Sequence, residues 1–318
     1  MKYQLFSYIA NDAEASPGIR IDDRLYDLRD AAAQFPSTLP AGTTVDDLID
    51  DWVNSQTALA HIVEWISESA AAAKVTTLDE KEVRFSAPLQ RAGAIYGAGA
   101  NYRDHVEAMS RAFNMNLVLD PRGQGIPPWH FLKSPRATLT GHRSTIPYPA
   151  NTTKLDWEAE LAVIIGRKAS NVSVEEALDY VAGYSCSNDV SARDQLVRQD
   201  VDPTSPFKFD WIGHKCFTGS CPVGPYLTPA AFIESPEHLD IKLWVNDELK
   251  QDSNTRNHLY SVADQIAYLS QRLVLYPGDI ILTGTPAGVG MERGTFLSKG
   301  DVMRVWIDGL GELENAVL

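Results

Sequence analysis

The chain has 318 residues, 44% of them hydrophobic, enough for one large domain or two smaller ones with a sizeable core. Its 28 basic and 42 acidic residues leave a formal charge of −14, which argues against nucleic acid or an anionic membrane as a partner. No apolar run approaches the ~20 residues of a membrane span, the N-terminus lacks the long apolar stretch of a secretory signal, and the odd, scattered Cys186, Cys216 and Cys221 fit neither a disulfide framework nor a thiolate zinc site, so a reduced, cytoplasmic protein is expected.

Residues 2–10 alternate as a strand, Pro17-Gly18 reads as a turn, and 20–28 reads as a short returning hairpin arm. Thr43 and Thr44 can cap a mainly helical stretch, 45–74, with Val45, Leu48, Trp52, Leu59, Ile62, Val63 and Ile66 spaced for one face. Residues 83–86 form another strand, closed by Pro88. Nothing up to this point clusters chemistry. We therefore divide the sequence into a small supporting N-terminal α/β domain, 1–88, and a second domain, 89–318.

The second domain opens with a strand at 92–97. Asn101 is placed to cap a helix running to about Asn114, followed by an irregular loop holding Pro121, Gly123, Gly125, Pro127 and Pro128. Strands are expected at 129–133 and 158–165. Ser173 and Glu176 make a capping-box pattern for a helix over 174–182. Residues 239–245 alternate as a strand, with Asn246-Asp247 as a hairpin turn. A helix is expected over 260–273, and 277–283 and 299–306 both read as a turn followed by a strand. Many short strands with few long helices indicate an α+β, mostly β fold and not a doubly wound sheet.

Glu158 and Glu160 lie two apart at the mouth of a strand, so their side chains share a face. Two carboxylates this close repel, and burial raises the cost. Either both face water, or one is protonated, or a hard divalent cation lies between them. Asp189, in Asn188-Asp-Val-Ser-Ala-Arg-Asp194, is either a helix cap or a third oxygen ligand, with Arg193 placed to reach a carboxylate. His105 falls in the first turn of a helix, which opposes its protonation and suits a neutral base. Lys215, in a glycine-flanked stretch, is either solvated or a buried charge that stabilises an anion. The loop Gly284-Thr-Pro-Ala-Gly-Val-Gly290 lacks the lysine of a phosphate loop; it is a tight turn or a cradle of N–H groups for a carboxylate. Gly97-Ala-Gly-Ala-Asn101 has Tyr102 where a dinucleotide loop needs its third glycine, so nucleotide binding is rejected.

Several ordered stretches belong together: Gly99-Ala-Asn-Tyr-Arg-Asp-His105, Phe131-Leu-Lys-Ser-Pro135, Asp156-Trp-Glu-Ala-Glu-Leu-Ala-Val163, Asn188–Asp194, His214-Lys215, Pro277-Gly-Asp-Ile-Ile-Leu-Thr-Gly-Thr-Pro286 and Lys299-Gly-Asp301. In order and spacing they resemble the fumarylacetoacetate hydrolase family over residues 92–318. The resemblance implies a mixed β-sandwich roll, a homodimer, and Mg²⁺, Mn²⁺ or Ca²⁺ held by Glu158, Glu160 and Asp189. It implies a small-molecule 2-oxo acid substrate, with Lys215, Arg193 and Thr285 on substrate or developing charge, Tyr102, Arg103 and Gln195 on the substrate-binding side, and His105 activating water.

Two positions depart from the family pattern. Short hydrolases of the family have a glutamate three residues after the histidine; here Ala108 stands there and Glu107, the nearest acid, is turned ~100° away on a helix. A glutamine often follows the arginine by three; here it is Leu196, with Gln195 one earlier. Three readings follow: a carboxylate from a distant segment orients His105; the reaction needs no attacking water; or a local bulge shifts the helix and brings Glu107 into the catalytic set. The expected function is hydrolysis of a C–C bond in a 2,4-dioxo acid to release a 2-oxo acid. The alternatives are decarboxylation or keto–enol isomerisation on the same site, or a non-catalytic binder of dicarboxylates.

Overall fold

Three strands, Ala159–Ile165, Val181–Asn188 and Cys221–Pro229, are buried along their whole length. Both faces of the sheet are covered along them, and the polar side chains they carry are bonded inside, as Ser185 Oγ is to Tyr226 O and Ser187 Oγ to Pro222 O. In this computed structural model, which describes residues 1–10, 15–35, 39–40 and 42–318, they form the centre of a 12-stranded sheet. Its main path runs Thr77–Leu78, Arg24–Asp27, Ser16–Ile21, Gln4–Tyr8, Cys221–Pro229, Val181–Asn188, Ala159–Ile165, Ile280–Leu282, Ile95–Ala98 and His130–Lys133.

One face of this sheet packs on a second, five-stranded sheet. There the inward residues of Asp240–Val245 and Val302–Ile307 alternate with half-exposed ones, the pattern of a sheet with one wet face. Ile241, Leu243, Val305 and Ile307 meet Leu161, Val163 and Tyr184 in one core. The other face carries Ala162, Ile164 and Ala182, and is covered by Leu48, Leu59, Ile62 and Val63 of the N-terminal helices. The result is an α+β, mostly β sandwich.

Residues 1–88 are joined to this sheet by hydrogen bonds: Leu5 pairs with Leu227 across Gln4–Tyr8 and Cys221–Pro229. Their helices, Val45–Asp50 and Trp52–Glu68, are separated at Asp51, and Thr44 with Asp47 forms the capping box of the first. Among the described residues no helix is long and apolar enough to cross a membrane.

Three local expectations are corrected. Pro17-Gly18 lies inside the strand Ser16–Ile21, and the turn falls at Asp22-Asp23, where Asp22 has φ +51°. The stretch 174–182 does not form a full helix: Ser173 and Glu176 do bond to each other, yet only the 3₁₀ turn Ala177–Tyr180 follows before the chain re-enters the sheet. Asn101 is not the helix cap. Tyr102 precedes the helix Arg103–Phe113, while Asn101 bridges distant backbone by donating to Tyr260 O and Thr283 O and accepting from Tyr260 N. It thereby fastens the helix that carries His105 to the end of Ile280–Leu282.

Candidate active site and metal centre

The strand pair Ala159–Ile165 and Val181–Asn188 ends in register, Ala159 opposite Asn188. Glu158, Glu160 and Asp189 therefore emerge at one end of the sheet. Their exposures are 5%, 1% and 0%, and one carboxylate oxygen from each lies within 4.8 Å of the others. Asp189 is not the cap of any helix among the described residues: its backbone N–H donates to Glu158 O at 2.8 Å, and its carboxylate stands with Glu158 and Glu160.

The electrostatics show what this cluster demands. Burial pushes the Glu158 carboxyl up, but Arg193 and Lys215 outweigh it and hold the group well below the usual carboxylate range. For Glu160 the balance is reversed: burial, then Asp189 and Glu158, drive it far upward, against Lys215 and the N–H that Gly284 donates at 2.7 Å. Three buried, oxygen-only donors of which one cannot ionise alone fit a hard divalent cation.

Lys215 donates to Glu158 Oε2 at 2.8 Å and Asp189 Oδ2 at 2.5 Å, and its ammonium lies 4.7 Å from the centre of the Phe131 ring. Arg193 lies against the same carboxylates. Its Nε donates to Asp156 Oδ2 at 2.7 Å, and its Nη2 sits 2.5 Å from Glu158 Oε1 as an ion pair without hydrogen-bond alignment. Arg193 thus braces a carboxylate of the cluster while also lining the cavity into which a substrate carboxylate would come.

His105 faces the same cavity, about 210 Å³ in volume, as Glu158, Glu160, Lys215 and Thr285. Its partner is Glu292, whose Oε1 lies 2.5 Å from Nδ1. Glu292 stands on the four-residue helix Gly290–Arg293, and its other oxygen accepts from Gly288 N at 2.7 Å. The distant-carboxylate reading is the one the structure supports; the helix carries no bulge that brings Glu107 to the imidazole. Thr285 is buried, and its hydroxyl accepts from Gln251 Nε2 at 2.9 Å.

Three further expectations fail on position. Tyr102 is fully buried, does not line the cavity, and has no hydrogen-bond partner at its hydroxyl. Arg103 is exposed outside the cavity. Gln195 donates to Asn151 O, while its neighbour Leu196 lines the cavity instead.

Four residues were missed. Lys133, with its side chain fully buried, donates to Asp189 Oδ1 at 2.5 Å and Ser220 O at 2.8 Å; the stretch around it was noticed but its charge was not used. Asp156 anchors Arg193. His214 lines the cavity, its Nδ1 3.0 Å from Ala192 O, with its imidazole pushed down to about 3 by burial and by Lys215 and Arg193. Glu292 had no local signal at all.

The glycine-rich loop is a cradle, but for the protein's own carboxylates. Gly284 N serves Glu160, Gly288 N serves Glu292, and Gly290 N and Met291 N serve Asp156 at 2.6 and 3.0 Å. Gly284 and Gly288 have φ of +101° and +104°, and a Cβ on Gly288 would stand 2.0 Å from Lys250 O, so both turns need glycine.

Comparison with known proteins gives a consistent frame. The model of the fumarylacetoacetate (FAA) hydrolase C-terminal region matches residues 94–318. A mitochondrial oxaloacetate tautomerase, Fahd2a of Rattus norvegicus, is 35% identical over 255 residues, 80% of this chain and 75% of that protein. The maleylpyruvate hydrolase of Sphingobium sp. SYK-6, solved with manganese(II) and pyruvate, superposes with a TM-score of 0.70 at 29% identity over 99% of this chain and 98% of its own. A probable 2-hydroxyhepta-2,4-diene-1,7-dioate isomerase of Mycobacterium abscessus gives 0.72 at 26% identity over 100% and 98%.

Proposed function

Because the chain belongs to the fumarylacetoacetate hydrolase family, we propose that it is a divalent-metal-dependent hydrolase that cleaves a C–C bond of a 2,4-dioxo acid and releases a 2-oxo acid such as pyruvate. One observation carries this reading: a histidine paired with a carboxylate opens onto the same cavity as the three-carboxylate cluster. Glu158, Glu160 and Asp189 would hold Mg²⁺ or Mn²⁺. When bound, such a cation supplies a Lewis acid for the oxygens of a 2-oxo acid and a sink for the electrons of the breaking bond.

The remaining tasks fall to the chain. Glu292 on Nδ1 fixes the tautomer of His105 and leaves Nε2 as the nitrogen that takes a proton from water. The same carboxylate steadies the imidazolium that forms, as the third member of a nucleophile–base–orienter set does. Lys215 holds positive charge next to the cluster, where a departing carbanion needs it. Thr285 already accepts from Gln251, so its own hydroxyl hydrogen is available to a substrate oxygen.

A second reading has its own support. Leu196 puts an apolar side chain where many family members have glutamine, and a tautomerase is among the relatives. Keto–enol isomerisation needs the base and the sink but no attacking water. Against a non-catalytic binder of dicarboxylates stands the carboxylate partner that Glu292 gives His105.

The test is a panel of acylpyruvates and oxaloacetate with added Mg²⁺ or Mn²⁺, read by product mass. Hydrolysis gives pyruvate and a carboxylic acid, with one water added. Release of CO₂, or an isomer of unchanged mass, transfers the assignment to the second class.

A further inference from the structure

The cavity has two kinds of lining. One carries the charges: the cations that line the cavity are Arg193 and Lys215, and both are engaged by Glu158 and its neighbours. The rest of the lining includes the apolar side chains of Met109, Trp129, Phe131, Leu196 and Trp211, with the Phe131 ring centre 4.7 Å from the Lys215 ammonium. The aromatic members form a built surface. Trp211 stacks on Phe131 with centroids 5.6 Å apart at an interplanar angle of 12°, and meets Trp129 edge-on at 5.3 Å. Arg103, which the family resemblance puts on the substrate-binding side, is exposed and outside the cavity.

With the head group of a 2-oxo acid held at the carboxylate cluster, its tail has these apolar side chains of the same cavity to rest on. A carboxylate there would be desolvated, and the cations lining the cavity, Arg193 and Lys215, are already paired with Glu158 and Asp189, which is costly. A flat apolar tail would exchange water for aromatic faces and edges, which is favourable. Resting on the proposed function, we infer that this enzyme's substrate carries an uncharged, apolar and preferably aromatic tail, and that Leu196 and Trp211 set the selection against a distal carboxylate.

The experiment uses three non-cleavable probes on the Mg²⁺-loaded protein, followed by quenching of tryptophan fluorescence, to which Trp129 and Trp211 contribute. Pyruvate has the head group alone, phenylpyruvate adds an aromatic tail, and 2-oxoglutarate adds a distal carboxylate. Phenylpyruvate is expected to bind at least about tenfold more tightly than 2-oxoglutarate, the scale on which an apolar pocket discriminates. Leu196→Arg should reverse that order, and Trp211→Ala should weaken phenylpyruvate while leaving pyruvate within about twofold. The second variant keeps the test open if the arginine disturbs folding. Equal binding of the two tailed probes, or a preference for 2-oxoglutarate in the wild type, overturns the inference while leaving the proposed function standing. Failure of pyruvate itself to bind in a metal-dependent way would instead strike the carboxylate cluster, and with it the function.

Discussion

The metal side and the base side of this site are built in opposite ways. Glu158, Glu160 and Asp189 come from adjacent strand ends in the buried centre of a sheet, and Lys133, Lys215, Arg193 and Gly284 N constrain them. His105 and Glu292 come from two helices, one of 11 residues and one of four, and the two side chains, 187 positions apart in the chain, meet through the hydrogen bond at His105 Nδ1. The first half has its geometry written into the backbone of a β ladder. The second exists only because the tertiary fold closes on it. A function that needs both can lose the second without losing the first.

The largest expected effect tests the metal side. Glu160→Ala should abolish Mn²⁺ binding by calorimetry and lower turnover by roughly a thousandfold or more; an active, metal-free variant would end the account. On the base side, His105→Ala should reduce hydrolysis by about 10²–10⁴ with Mn²⁺ affinity retained. Glu292→Gln should follow at roughly tenfold to a hundredfold, and Glu107→Gln should stay within about twofold. If Glu107→Gln proved the more harmful of the two, the pairing seen here would not be the working one.

The next effect separates stability from chemistry. Lys133→Met leaves Asp189 facing Lys215 alone and should lower stability by about 3–5 kcal/mol in chemical denaturation. Added Mn²⁺ should restore part of that loss, since it binds only the folded cluster. The smallest effect lies outside the site. Burial pushes His142 and His130 down to about 4. Both are therefore neutral when folded and charge more readily when unfolded, so stability is full above the ordinary histidine value near ~6.5 and falls as pH drops from there toward 4. His142→Asn can still accept from Glu314 N, as His142 Nδ1 does at 3.0 Å, and should flatten that decline in thermal melts.

This contrast also governs what was legible in the sequence. The period of two in Glu158-Ala-Glu160 followed by an apolar run placed two carboxylates on one face of a buried strand, because strand geometry is local. Hairpins and caps were readable for the same reason at Asn246-Asp247 and Thr44. Asn101 misled because an asparagine ahead of a helix has the same local pattern whether it caps that helix or ties together two other segments. The anchoring of Arg193 on Asp156 was not legible, because Asp156 lies 37 positions earlier, which spacing cannot express. Ala108 announced that a carboxylate was missing, but nothing near Glu292 says that it points at an imidazole.

The loop over residues 284–291 ties the two halves together. It steers an acid of the cation cluster at one end, the partner of the base in its middle, and the anchor of Arg193 at the other. A displacement of that short span would move nucleophile activation and electrophile support in concert, like two hands on one crank. A change of backbone path in this loop is therefore expected to disturb both halves at once, where a side-chain change at His105 or Glu160 disturbs one.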